Sequence, residues 1–228
     1  MFTLDAVVPW GRSFDEYCAM FDLSERELDV RLLDCGGGPA SFTAEASHRG
    51  KSVVSCDPIY QYDVHQIQSR IEATYDAIME QTRRNMNEFV WRHVRSVDEL
   101  GTLRLKAMRR FLDDYPAGRK QGRYVTAELP SLPFADRAFD LALGSHLLFL
   151  YTDQLDEPFH RAAVLELCRV ADDVRIFPLL ALGATPSPHV GPVVSELRRR
   201  GFDVSIDNVP YEFQRGGNQM LHIRRPAA

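Results

Sequence analysis

Arg31-Leu32-Leu33-Asp34-Cys35-Gly36-Gly37-Gly38-Pro39-Ala40-Ser41 is the stretch on which the reading of this chain turns. It predicts a short buried strand, Val30 to Leu33, that runs into a glycine turn, with a helix opening near Ala40. Glycine suits such a turn because it adopts positive φ freely and lets a ligand lie against the backbone. About twenty residues further on, at the spacing of a βαβ unit, Ser52-Val53-Val54-Ser55-Cys56 makes a second apolar run closed by Asp57. A strand, a glycine turn, a helix and a second strand ending in an acid form the ribose-binding half of a nucleotide fold.

The ligand's identity hangs on details of the turn. A dinucleotide fingerprint, G-x-G-x-x-G, brings a pyrophosphate onto the helix start. Gly36 and Gly38 fit that pattern, but Ser41 stands where the third glycine belongs and Pro39 stiffens the turn. Asp34, two residues before the first glycine, is expected at the strand tip facing the ligand. A carboxylate there suits an ammonium group better than a pyrophosphate.

Composition sets wide bounds. At 228 residues the chain is read as a single domain, 1–228, that contains an insertion. Its 45% hydrophobic content is ordinary for a globular protein. No apolar run reaches the ~18 residues of a membrane span, and the first residues lack the basic start and apolar core of a signal peptide. Cys18, Cys35, Cys56 and Cys168 are scattered without C-x-x-C spacing, so they read as free thiols and not as a metal site. The net charge of −5 argues against a nucleic-acid partner. The expectation is a cytoplasmic monomer or homodimer that acts on a small molecule away from membranes.

Ser13 with Glu16, and Ser24 with Glu27, are capping-box patterns that predict one or two short helices before residue 30. Phe14, Tyr17, Cys18 and Phe21 share a face that either packs on the sheet or places Tyr17, with Arg12, over the ligand. After Asp57 no strand is expected until Tyr124. Asp63 with Gln66, then Ser96 with Glu99, open two helices, and Pro116 and Gly118 are expected to end the second. Residues 60–122 therefore read as a helical insertion, a cap reached from the carboxyl end of the second strand. With Arg123 the segment carries a net charge of +3, either a lure for an anionic substrate or a solvated face.

Strands are expected at Arg123–Leu129, Phe139–Gly144 and Val174–Leu180, and helices at 157–170 and 193–200. The strands Phe202–Val209 and Gln219–Ile223 have no helix between them and should pair as an antiparallel hairpin. The fold class is thus α/β: a Rossmann-like, mostly parallel seven-stranded sheet with an antiparallel C-terminal hairpin strand.

Asp34-Cys35-Gly36-Gly37-Gly38-Pro39, Asp57, the acid Glu128 followed by Leu132-Pro133-Phe134, and Phe139-Asp140-Leu141 leading to Ser145-His146 carry a resemblance. Over residues 30–58 and 123–225 the chain resembles the class I, Rossmann-like S-adenosylmethionine-dependent methyltransferases. Gly11-Arg12-Ser13-Phe14, Asp57-Pro58-Ile59-Tyr60 and Tyr211 to Asn218 look more narrowly like a bacterial group described only as methyltransferases. The resemblance implies S-adenosyl-L-methionine as cofactor. It places Asp34, Gly36 and Gly38 at the methionine portion, Asp57 on the ribose, and Glu128 on the adenine amine. Ile59 and Leu129 flank the ring, with Ser145 nearby.

His146, at the exit of the central strand, is the candidate general base, because its ordinary pKa lies near neutrality. The loop Tyr211 to Asn218 is expected on the ligand face. Tyr211, Gln214 and Arg215, with Tyr17, Tyr151 and His189, are the candidates to hold a small anionic or zwitterionic acceptor. Two rivals stand beside this reading: an NAD(P)-dependent oxidoreductase, and a non-catalytic S-adenosylmethionine-binding protein.

Overall fold

The computed structural model describes residues 1–225. Helix α1 (Phe14–Phe21) opens on the capping box at Ser13. The Glu16 N–H donates to the Ser13 hydroxyl (3.3 Å), and the Ser13 N–H donates to the Glu16 carboxylate (2.9 Å). Two otherwise free donors of the first turn are so satisfied. The helix buries Phe14, Tyr17, Met20 and Phe21. The Ser24–Glu27 pattern forms its hydrogen bonds too, but in a turn instead of a second helix.

Strand β1 (Leu32–Cys35), helix α2 (Phe42–His48) and strand β2 (Val53–Cys56) make the expected βαβ unit. Strands β3 (Tyr124–Val125), β4 (Phe139–Ser145), β5 (Ala171–Phe177), β8 (Asp203–Asn208) and β9 (Gln219–Arg224) complete one seven-stranded sheet in the order β3-β2-β1-β4-β5-β9-β8. Only β9 runs against its neighbours, pairing antiparallel with β5 and β8. The fold is α/β: a Rossmann-like, mostly parallel sheet with an antiparallel C-terminal hairpin strand. β1 and β4 are buried on both faces, as central parallel strands are, whereas β8 exposes alternate residues at the edge. A small hairpin, β6 (Leu180–Ala181) with β7 (Thr185–Pro186), lies in a segment where the prolines predict a loop.

Strand order reverses between β1 and β4, so the carboxyl ends of β1, β2 and β4 meet at a topological switch point. Open α/β sheets bind ligands there. Helices α5 (Glu157–Val170) and α6 (Val190–Arg199) pack on one side of the sheet, α1 and α2 on the other.

Between β2 and β3 stand α3 (Val64–Arg84) and α4 (Val97–Lys120), joined through a short 3-10 turn at Met86–Glu88. Met108, Phe111 and Tyr115 of α4 cluster with Tyr60 and Tyr124, so α4 does the work of the ordinary crossover helix. Pro116 and Gly118 do not end it, contrary to expectation. The helix carries Pro116 inside and stops at Gly122, whose φ is 77°. Gly118 is instead a packing glycine: a Cβ there would overlap the Tyr124 ring.

Candidate functional site

The glycine turn is held from β2. Gly36 and Gly38 have φ of 72° and 51°, which side chains disfavour. The Gly36 N–H donates to the Cys56 carbonyl (2.8 Å), and the Gly38 N–H donates to the Asp57 carboxylate (3.0 Å). The other Asp57 oxygen accepts from the Ile59 N–H (2.8 Å). Asp57 thus braces the turn and begins the next one, with lone pairs left for a ligand. Burial pushes its carboxyl up to about 6, against the two backbone N–H groups, with the nearby negative charge of Glu128 adding to the rise.

Asp34 does not face the ligand, contrary to expectation. It is 1% exposed and lies beneath the turn, accepting from the Tyr17 hydroxyl (3.1 Å) and the Ser55 hydroxyl (2.9 Å). Burial raises its carboxyl to about 7, with those two donors opposing. Both oxygens are engaged within the protein, and Gly37 sits directly over them.

Next to Tyr17 is a buried charge cluster. Arg104, 1% exposed, makes a two-pronged pair with the Glu16 carboxylate (2.6 and 2.7 Å), which also accepts from Tyr211 (3.1 Å). Arg12 lies close by. Its Nη1 donates to the Trp10 carbonyl (3.3 Å), while its buried Nε has no partner among the described residues. Two guanidiniums therefore face one carboxylate, which leaves a positive charge at the cavity wall. Sequence reasoning did not connect Glu16 with Arg104 because 88 residues separate them.

His146 projects from the end of β4 with φ of 54°, its ring edge-on to Phe177. Nδ1 shares a hydrogen bond with the Ser145 hydroxyl (2.9 Å). Burial, then the charges of Arg12 and Arg104, hold its pKa well below the usual value, so the ring is neutral near pH 7.

The glycine turn, Asp57, Arg12, Tyr17 and His146 border a cavity of about 380 Å³. Its floor is Gly36–Ala40, Asp57–Ile59, Ser145–Leu147, Tyr17 and Arg12. Its roof comes from three distant segments: residues 2–10, the stretch 62–100 between β2 and β3 (Tyr62, Arg70, Ile78, Thr82, Glu88, Phe89, Leu100) and the C-terminal loop at Phe213 and Gln214. Tyr151 and Gln214 reach it as expected, although the Tyr151 hydroxyl is occupied by the Val8 N–H (3.3 Å) and the Gln214 amide by the Ala181 carbonyl (2.6 Å).

Five other expected residues lie off this wall. Tyr211 turns inward to Glu16, and Arg215 caps the carbonyls of Asn87 (2.9 Å) and Phe89 (3.1 Å), pinning its loop to the segment between α3 and α4. His189 packs on His160, their ring centroids 4.7 Å apart. Leu129 is buried in the sheet core, and Glu128 is exposed beyond Asp57. The N-terminal segment at Phe2, Leu4, Val8 and Trp10 is a part of the wall that the sequence reading missed. It lacks any helical or strand periodicity.

No protein-family profile matches the chain. Among solved structures it is similar to the magnesium protoporphyrin IX methyltransferase of Synechocystis PCC 6803 with bound S-adenosylmethionine. That match has a TM-score of 0.49 and 12% identity, over 93% of this chain and 78% of that one. The PH0226 protein of Pyrococcus horikoshii OT3 also scores 0.49 at 12% identity, over 94% and 91% of the two chains. In sequence it is 36% identical over 217 residues to the uncharacterized protein MJ0045 of Methanocaldococcus jannaschii, covering 94% of this chain and 95% of that protein. The chain belongs to the family of that archaeal protein.

Proposed function

We propose that this protein is an S-adenosylmethionine-dependent methyltransferase acting on a small molecule. The observation that carries this reading is what occupies the start of α2. The Ser41 N–H donates to the Arg12 carbonyl (2.9 Å), and the Ser41 hydroxyl donates to Glu45 (2.7 Å). Gly11 presses so closely on Pro39 that a Cβ would overlap its carbonyl. The Ser41 N–H, which a pyrophosphate would meet at the helix start, is therefore taken, and Glu45 would repel such a group. A nucleoside without phosphates is what remains.

The residues present fit S-adenosylmethionine. Asp57 would accept from the ribose hydroxyls, Ile59 would flank the adenine ring, and the glycine turn would admit the methionine portion. Arg12, a cation on the cavity wall beside the turn, would offset the charge of the cofactor's carboxylate. When bound, this cofactor supplies a methyl group already activated on a sulfonium sulfur. The chain's task is to align the acceptor with that methyl and exclude water, a contribution of several kcal/mol by positioning alone, on the order of 7 or more in favourable cases. His146, with Nε2 unpaired among the described residues, is the candidate to take a proton from the acceptor, though a weak base, since burial and the charges of Arg12 and Arg104 oppose its protonation.

Asp57→Ala is expected to weaken S-adenosylhomocysteine binding by about 1.5–3 kcal/mol, since it removes charged acceptors of ribose hydroxyls. Calorimetry on the folded variant checks this, and unchanged affinity would remove Asp57 from the site.

Affinity should also depend on pH. In the free protein the Asp57 carboxyl titrates at about 6. Ribose hydroxyls favour its charged form, so the bound pKa is lower and binding releases a proton in acid. The dissociation constant should then be flat above pH 7 and rise by up to roughly tenfold per pH unit below 6. Asp57→Asn should flatten that limb. Persistence of the limb in this variant would assign it to another group.

A further inference from the structure

We infer that the acceptor of this methyltransferase is an uncharged, ring-bearing, largely apolar molecule, not an anionic or zwitterionic one. The inference rests on the proposed activity and concerns the roof of the same cavity. Phe2, Ile78 and Phe89 form a buried cluster there, with Trp10, Leu182 and Phe213 packed against it. The ring of Phe213 stacks on Phe89 at 4.9 Å, and Phe2 meets Phe89 edge-on at 5.8 Å. Aromatic walls of this kind take up a planar ring in offset or edge-on contact.

Four polar side chains at or behind the aromatic part of the roof, Glu88, Thr82, Gln214 and Arg215, are committed to the protein. The Glu88 carboxylate accepts from the Phe2 N–H with both oxygens (3.1 and 3.0 Å). The Thr82 hydroxyl donates to the Ile78 carbonyl (2.8 Å). Gln214 and Arg215 cap carbonyls of Ala181, Asn87 and Phe89. The Val90 N–H donates to the Phe213 carbonyl (2.7 Å), closing the same seam. Around Phe2, Ile78, Phe89, Leu182 and Phe213 these bonds leave mainly hydrocarbon facing the cavity. Of the cations on the wall, Arg70 is exposed and lies over the Tyr62 ring at 3.8 Å. Arg12 stands at the glycine-turn end beside Tyr17, where the cofactor's carboxylate is proposed. A carboxylate on an acceptor seated against Phe2, Phe89 and Phe213 would be buried among rings without a cationic partner there, a cost that favours an uncharged molecule.

The test uses two probes of the same bicyclic shape, neutral 2-naphthol and anionic 2-naphthoate. Each is titrated by calorimetry at pH 7.5 into protein saturated with S-adenosylhomocysteine. 2-Naphthol should bind at least about tenfold more tightly than 2-naphthoate. Phe213→Ala, a change at a half-buried ring, should weaken 2-naphthol by about fivefold. Leu182→Ala should weaken it as well and guards against a folding defect in the first variant. Equal or tighter binding of 2-naphthoate, no binding of 2-naphthol, or affinities untouched by both variants would overturn the inference. If S-adenosylhomocysteine itself fails to bind, the proposed activity falls. The two naphthalenes, titrated into the free protein, then decide the chemistry of the wall by the same criteria.

Discussion

Replacing Glu16 by Ala is expected to lower the unfolding free energy by about 3–5 kcal/mol, because it strands a fully buried charge. Arg104 is 1% exposed and has no other carboxylate among the described residues: both its terminal nitrogens go to Glu16, and its Nε has no partner among them. The same carboxylate bonds Ser13 at the start of α1 and Tyr211 in the C-terminal loop, so three segments lose their common anchor. Urea denaturation of wild type and variant measures the difference. A loss below about 1 kcal/mol would mean that the pair behaves as an ordinary surface ion pair. The acid limb supplies a second readout. Burial pushes the Glu16 carboxyl up, but the charge and hydrogen bonds of Arg104, with Ser13, more than offset this and hold it at about 2. Its contribution is therefore present above its unfolded pKa and is lost as pH falls from about 4 toward 2. That limb should be weaker in the variant.

Gly37→Ala is the second change expected to do the most damage. A Cβ on Gly37 would overlap both the Asp34 carboxylate and the Ser55 hydroxyl, two buried groups bonded to each other. The turn can relieve the clash only by rising into the cavity. A stability loss of about 1–3 kcal/mol follows from overpacking. The displaced turn should also weaken S-adenosylhomocysteine by roughly 10–100-fold, which is about 1.4–2.7 kcal/mol. A crystal structure or a melting curve together with a titration would separate the two effects. Near-normal values of both would show that the Asp34 side chain is free to swing aside.

The Gly36–Gly38 turn and Asp57 were legible in the sequence because they are local: one strand end, one turn and the acid of the next strand are read within thirty residues. The capping boxes at Ser13 and Asp63 were legible for the same reason, each being satisfied inside its own first turn. Gln219–Ile223, observed as Gln219–Arg224, was read as the reversed strand because nothing between it and the preceding strand has helical spacing. What escaped is long-range. Asp34 looked like a ligand carboxylate until Tyr17 and Ser55 were seen to take its two oxygens. Arg215 looked like an anion clamp because its partners, the carbonyls of Asn87 and Phe89, lie in another part of the chain. A carbonyl gives no signal in a sequence. Residues 2–10 escaped because they have no regular structure, and their apolar side chains acquire meaning only through Phe89 and Phe213.

The central claim is that the switch point of this sheet holds S-adenosylmethionine and not a dinucleotide. Calorimetric titration of the purified protein with S-adenosylhomocysteine and, separately, with NADH tests it most directly. Saturable binding of S-adenosylhomocysteine, with no heat above dilution for NADH, is the predicted result. Saturable binding of NADH with none for S-adenosylhomocysteine would contradict the account, since it would require a pyrophosphate to displace the Arg12 carbonyl from the start of α2.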